Sequence, residues 1–437
     1  MKTTLRVCIF LGSIGAIAVG RSFGEGAATP ESLSPFTGIY QSKSGGITSI
    51  TTFDPGDGEY RLLFTDLGSG VIRVLAPVSE NVFSAGPGLL VPTPTEMQFT
   101  FERNGTEPAR SFAIRKEGAG EETATKIPTI NEEVAFKNGD TSLAATLISP
   151  ANPHGAVVFL HGSGPLNRYS FGPFPDLFVS HGFAVLVYDK RGTGKSKGNL
   201  DSSTLDDLAA DGRAAVRFLK ERTHLKEGRI GLSGASQGGF LAAAVAASNP
   251  DVAFLVNLYG MYVPVWQQEL YRSEAEMRAD GIGAADIDEG LAFVKKEFEV
   301  AKTGKDWESL AKTISQSKEK KWWRHVTKSD SLDELRHYWQ TLYSYDPARP
   351  LEKVTCPVLA VFGELDTSTP VPQSIENMRR ALAIAHNSDF TSKVFPKTGH
   401  GLLESETGAS SEIPKARRLA PGFCDLMATW LEKKQPH

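Results

Sequence analysis

The sequence predicts an α/β protein: a doubly wound, mostly parallel sheet with a helical insertion, preceded by a small all-β unit. Three observations carry the prediction. Short β-type runs separated by Gly, Pro, Asn and Asp fill the region from about Leu33 to Glu117. Beyond Pro153 the pattern changes. Apolar runs at 156–160, 184–188, 229–232, 254–258, 357–362 and 391–395 alternate with helical patterns, as buried parallel strands and their crossovers do. The alternation breaks once, over 262–345, where the chain is charged, helical in pattern and carries Trp266, Trp307, Trp322, Trp323 and Trp339. That stretch reads as a helical cap, its tryptophans serving as cap core or as part of a substrate pocket.

At 437 residues the chain is too long for one small domain, and its 40% hydrophobic and 22% charged composition is that of a globular protein. A net charge of −4 gives no reason to expect nucleic acid or an anionic membrane as partner. Residues 1–28 read as a signal peptide: Lys2 and Arg6 open it, 7–19 is apolar, and Ala18 with Gly20, or Ala27, offers a cleavage site. An uncleaved anchor is the alternative, for which the apolar run is short. The expectation is an exported chain, periplasmic or extracellular, with no stable membrane insertion. Cys356 and Cys424 then remain, either as a disulfide or as two buried thiols.

The β unit is expected over 29–117, with strands at 36–40, 47–53, 60–64, 70–75, 97–101 and 111–115 forming a small antiparallel sheet or barrel. Asn104-Gly105 reads as a turn rather than a glycosylation site. Residues 118–130 read as a linker. Runs at 132–136 and 142–148, joined through Asn138-Gly139-Asp140, read as a β-hairpin that opens the α/β unit. That unit is expected over 131–261 and 346–437, with the cap over 262–345 between its halves. Its clearest helix places Leu205, Leu208, Gly212, Ala215 and Leu219 on one face, with Thr204 as N-cap.

The chemistry centres on Gly234-Ala235-Ser236-Gln237-Gly238, a G-x-S-x-G sequence between a strand run and a helix of small residues. A serine there sits on a sharp turn with its hydroxyl raised above the sheet edge. An activated serine needs a base, a group that orients the base, and donors for an oxyanion. His400, between Gly399 and Gly401 after the run at 391–395, is the expected base, with His161 as rival. Asp366 in Gly363-Glu364-Leu365-Asp366 is the expected orienting carboxylate, with Glu364 as runner-up. The backbone N–H groups of Gln237 and Ser163 are the expected oxyanion donors, with Gly162 or Gly164 as alternatives to Ser163. Gly192-Thr193-Gly194-Lys195-Ser196 looks like the end of a phosphate-binding loop, but Asp189 stands where that motif needs its first glycine. Asp189 and Arg191 read instead as structural charges, and neither a cofactor nor a metal is expected.

HGSGP at 161–165, YDKRGTGKS at 188–196, GASQGG at 234–239, GELD at 363–366 and GHG at 399–401 follow the order of the α/β-hydrolase superfamily. Over about 155–433 the chain resembles its bacterial carboxylesterases of the serine-aminopeptidase-like and prolyl-oligopeptidase-like groups. Ala235 and Gln237 depart from the His or Tyr often found beside the serine in that family. The resemblance implies an exported serine esterase acting on a small-molecule ester through an acyl-enzyme on Ser236. A secreted, aminopeptidase-like serine peptidase with the same Ser236, Asp366 and His400 is the alternative.

Overall fold

The computed structural model describes residues 28–223 and 229–434. The expected signal peptide lies outside the described residues except for Ala28.

After a single helical turn, α1 (Pro30–Leu33), eight antiparallel strands close into a barrel. They are β1 (Gly38–Ser42), β2 (Ile47–Phe53), β3 (Arg61–Asp66), β4 (Ile72–Ser79), β5 (Val82–Ala85), β6 (Met97–Glu102), β7 (Ser111–Lys116) and β8 (Glu121–Lys126), and β8 pairs with β1. Tyr40, Phe99, Phe101 and Phe112 fill the interior with tilted and edge-on ring contacts. Six strands are expected from the sequence, and two more are present. β8 lies in the stretch expected to be a linker, 118–130. It reads Glu-Glu-Thr-Ala-Thr-Lys and buries only Ala124, so no apolar alternation announces it. β5 alternates as a strand should, but over four residues. Asn104-Gly105 turns the chain between β6 and β7, with Glu107 N–H bonded to Asn104 C=O at 3.0 Å.

The second sheet also has eight strands: β9 (Ile130–Asn138), β10 (Thr141–Ser149), β11 (Gly155–Leu160), β12 (Phe183–Tyr188), β13 (Ile230–Ala235), β14 (Val252–Leu258), β15 (Val358–Gly363) and β16 (Phe390–Phe395). Their order is β16-β15-β14-β13-β11-β12-β10-β9. β9 and β10 form the antiparallel hairpin, and β10 runs antiparallel to β12; all other pairs are parallel. β11, β12 and β15 are buried at every residue, because helices cover both faces. Those helices are α2 (Phe174–Ser180), α3 (Leu205–Thr223), α4 (Gln237–Ala246), α9 (Val371–Ile384) and α10 (Phe423–Glu432). The α3 stripe of Leu205, Leu208, Ala215 and Leu219 is buried, and Thr204 Oγ1 accepts from Asp207 N–H at 3.2 Å, as an N-cap does.

The chain leaves β11 for β12 on one side and reaches β13 on the other. Strand order therefore reverses at β11, and the crevice beyond the carboxyl ends of β11 and β13 is where such sheets bind ligands. Between β14 and β15 the chain forms α5 (Val265–Ala279), α6 (Ala284–Thr303), α7 (Trp307–Gln316) and α8 (Leu332–Tyr338), with no strand among them. Trp322 and Trp323 pack on Phe293, and Trp339 packs on Phe298. The insertion's tryptophans are thus largely its own core.

The barrel grips two loops of the second unit. Asn167 donates to Asp54 at 2.6 Å, and the ring of Tyr169 meets Tyr60 edge-on, fixing the loop after β11. Leu419 N–H donates to Gly70 C=O at 2.8 Å and Leu89 N–H to Ala416 C=O at 2.8 Å, fixing the segment that follows His400. Cys356 and Cys424 are both free thiols, Cys424 buried as one of the two expected alternatives has it and Cys356 only half-buried.

Candidate active site

Ser236 sits between β13 and α4 with φ 54° and ψ −120°, in the left-handed half of backbone space where a non-glycine residue costs about 1–3 kcal/mol. The surrounding glycines make the turn sterically feasible. A Cβ on Gly234 would lie 2.0 Å from the Gly238 oxygen, and one on Gly238 would lie 2.1 Å from the Leu160 oxygen. Both contacts are with backbone, so neither can relax cheaply. Strand and helix meet too closely for any side chain, and the serine is left at the tip.

His400 and Asp366 come together as expected. His400 Nδ1 lies 2.9 Å and 3.0 Å from the two Asp366 carboxylate oxygens. A carboxylate only accepts, so Nδ1 carries the proton and the neutral ring keeps its lone pair on Nε2. Asp366 is 1% exposed, and its Oδ1 also accepts from the N–H groups of Ser368 and Thr369, both at 2.8 Å. It therefore caps its own loop and holds the imidazole at once. Glu364, the runner-up, is exposed and accepts from Lys397 N–H at 3.1 Å. His161, the rival base, is buried away from this work. Its Nε2 donates to the Tyr188 carbonyl, its ring stacks on Phe171 at 4.1 Å, and burial pushes its pKa down to about 3.

Ser163, Ser236, Gln237 and His400 line a single cavity. The Gly162–Gly164 segment passes over the elbow: a Cβ on Gly162 would stand 3.6 Å from Ser236 Cβ. The expected oxyanion donors thus flank the serine, one beside it and one at the start of α4, where the helix dipole favours negative charge. The other walls come from Phe240, from Val265, Gln268 and Glu269 on α5, and from Tyr338 and Tyr343. None of the insertion's tryptophans is among the lining side chains.

The segment resembling a phosphate loop folds around its own anion. Asp189 Oδ2 accepts from Lys195 N–H at 2.8 Å, and a Cβ on Gly194 would lie 2.4 Å from the same oxygen. Asp189 pairs with Arg168 at 3.0 Å, and Arg191 with Asp211 at 2.6 Å, the structural roles expected of both. Among the described residues no group of three or more His, Cys, Asp or Glu side chains is placed to hold a metal ion.

Several residues of the site lie outside the elbow, base, carboxylate and oxyanion-loop motifs. The Tyr259 ring meets His400 edge-on at 4.7 Å, and Tyr259 C=O accepts from Thr369 Oγ1 at 2.9 Å. Glu269 and Tyr271 come from the insertion. Lys190 lies between the two structural charges, and its place just past the end of β12 was the available signal.

Chain order Ser, Asp, His over a sheet whose strand order reverses beneath the serine is that of the α/β-hydrolase superfamily, to which this protein belongs. Within it, the chain belongs to the X-Pro dipeptidyl-peptidase (S15) family, whose model matches residues 101–383. The match takes in Ser163, Ser236 and Asp366 and ends before His400. The acylamino-acid-releasing enzyme of Sus scrofa is 26% identical over 385 residues, covering 84% of this chain and 44% of that enzyme. This chain therefore spans less than half the length of that relative. A non-heme chloroperoxidase of Burkholderia pyrrocinia is 25% identical over 254 residues, 56% of this chain and 85% of that protein. Among solved structures, a Pyrococcus furiosus esterase aligns with TM-score 0.45 and 17% identity over 70% of this chain and 92% of its own. A Mycobacterium smegmatis proline iminopeptidase aligns with TM-score 0.45 and 20% identity over 70% and 99%.

Proposed function

We propose that the protein is a serine hydrolase that cleaves carboxylic esters through an acyl-enzyme on Ser236. One observation carries the reading: Ser236, forced out on a left-handed turn, shares its cavity with a histidine whose Nδ1 is held by a buried aspartate. In this scheme His400 Nε2 takes the Ser236 proton as Oγ attacks the acyl carbon. The Ser163 and Gln237 N–H groups stabilise the oxyanion, and Asp366 stabilises the imidazolium. The imidazolium then gives its proton to the departing alkoxide. Water, activated by the same nitrogen, attacks the acyl-enzyme, releasing the acid and restoring Ser236. Esters are the less demanding substrates for this machinery, because an alkoxide leaves with less help from a general acid than an amide nitrogen needs.

A second reading, peptide hydrolysis, is favoured by the family and by Glu269. This carboxylate is 6% exposed and faces the cavity, with Arg272 at 2.6 Å and Thr327 at 2.8 Å on its oxygens. It offers a place for a substrate's amino group. Parallel assays on short-chain p-nitrophenyl esters and X-Pro anilides separate the two readings. Ser236→Ala is expected to lower turnover of either by roughly three or more orders of magnitude. Turnover at the parent rate in that variant overturns both.

Export is proposed on the pattern of residues 1–28 alone. A mature chain found in the periplasm or medium and starting after Gly20 or Ala27 tests it.

A further inference from the structure

Lys190 is a lysine with almost no access to water, 4% exposed just beyond the end of β12. Its ammonium reaches three acceptors: Gly162 C=O at 2.8 Å, Gly164 C=O at 3.2 Å and Gln237 Oε1 at 2.9 Å. Burying a cation is costly unless acceptors surround it, and among the described residues no carboxylate bonds this one directly. All three acceptors belong to the two segments that carry the oxyanion donors.

The peptide plane gives the arrangement its consequence. The Gly162 carbonyl and the Ser163 N–H belong to one trans peptide, so they point in opposite directions. Drawing the carbonyl toward Lys190 turns the N–H the other way. A cation on the carbonyl oxygen also polarises the peptide and makes its N–H a stronger donor. The bond to Gln237 Oε1 ties the same ammonium to the residue whose N–H opens α4. We propose that Lys190 is the positioning residue of the oxyanion site, aiming and polarising the Ser163 N–H and locking it to the start of α4. The proposal rests on the reading of Ser236, Ser163 and Gln237 given above.

The surroundings of Lys190 give this role a pH signature. Burial pushes its pKa down to about 7, and Asp211 on α3 pulls it back up. The neighbouring Asp189 is paired with Arg168, and His161 beside it is held neutral by burial. As pH rises through about 7 the ammonium becomes an amine, with two N–H groups for three acceptors. Turnover is therefore expected to fall on the alkaline side as Lys190 loses its proton.

The test compares the parent with Lys190→Met on a short p-nitrophenyl ester, measuring kcat and KM across pH and the rate at which a fluorophosphonate labels Ser236. The variant should lose on the order of 10²–10³ in kcat, as when an oxyanion donor is removed, with KM within about threefold. Labelling should slow by a similar factor, and the alkaline limb should vanish. A folded variant with kcat within about twofold of the parent, or a loss confined to KM, overturns the proposal. Where Lys190→Met does not fold, the parent decides, and a kcat flat from pH 7 to 10 overturns it. A parent that is not labelled at Ser236 overturns the hydrolase reading itself. A parent that is labelled, beside an equally active variant, overturns only the role of Lys190.

Discussion

The hydroxyl of Tyr271 donates to the main-chain carbonyl of Asp366 at 2.9 Å, tying the first helix of the insertion to the loop that holds the imidazole. Gln268, one turn earlier on α5, makes a parallel bond from Nε2 to Ser368 C=O at 2.9 Å. The insertion thus bears on the carboxylate loop as well as on the cavity wall. Burial raises the Tyr271 phenol to about 12, so it remains a donor over the working range of pH.

Tyr271→Phe removes this bond and leaves a partly buried carbonyl without its donor. A net bond of about 0.5–1.5 kcal/mol corresponds to a fall in kcat of about 2–12-fold if the loop position tracks it. Adding Gln268→Ala should deepen the loss beyond the product of the single effects, since each bond supports the loop when the other is gone. Steady-state kinetics on one ester checks this. Unchanged kcat in the double variant would show that the insertion does not set the loop.

The two carboxylates of Gly363-Glu364-Leu365-Asp366 should separate sharply. Asp366→Asn keeps an oxygen for the Ser368 and Thr369 N–H groups but loses the charge that fixes the histidine tautomer, so turnover should fall by about 10⁴ with the fold intact. Glu364→Gln, at an exposed side chain on the Lys397 backbone, should leave turnover within about twofold of the parent. Comparable losses in both variants would refute the division of roles.

The sheet and the central site were legible because their signals are local. β11, β12 and β15, buried at every residue, read as unbroken apolar runs, and the elbow needs small residues at 234 and 238 for reasons of contact that any such turn shares. β8 was hidden because only Ala124 enters the barrel core, and the rest of the strand is polar and largely exposed. Lys190 was hidden for the opposite reason. Set between Asp189 and Arg191 it looks like a surface charge, and only the closure of β11 beside β12 puts it under the Gly162–Gly164 segment. Tyr271 and Glu269 belong to a helix whose pattern states its buried face but not what that face meets.

Asp176, in the first turn of α2, gives a prediction for the contact between barrel and sheet. Its Oδ2 accepts from Ser49 Oγ on β2 at 2.6 Å, and burial raises its pKa to about 6 despite that bond and the charge of Lys126. The sign is the reverse of a salt-bridged carboxylate. Below the unfolded value of 3.8 both states are protonated; between there and about 6 the folded state keeps a proton that the unfolded state has lost. Stability from this group is therefore full at low pH and is lost as pH rises through about 6, by about 3 kcal/mol in total. Asp176→Asn keeps an acceptor for Ser49 without the buried charge. It should leave stability near the parent's at pH 4 and raise it by about 1–3 kcal/mol at pH 8 in urea titrations followed by tryptophan fluorescence. An Asn variant less stable than the parent at pH 8 would mean that Asp176 is held ionised by Lys126 and that the barrel is anchored by an ion pair.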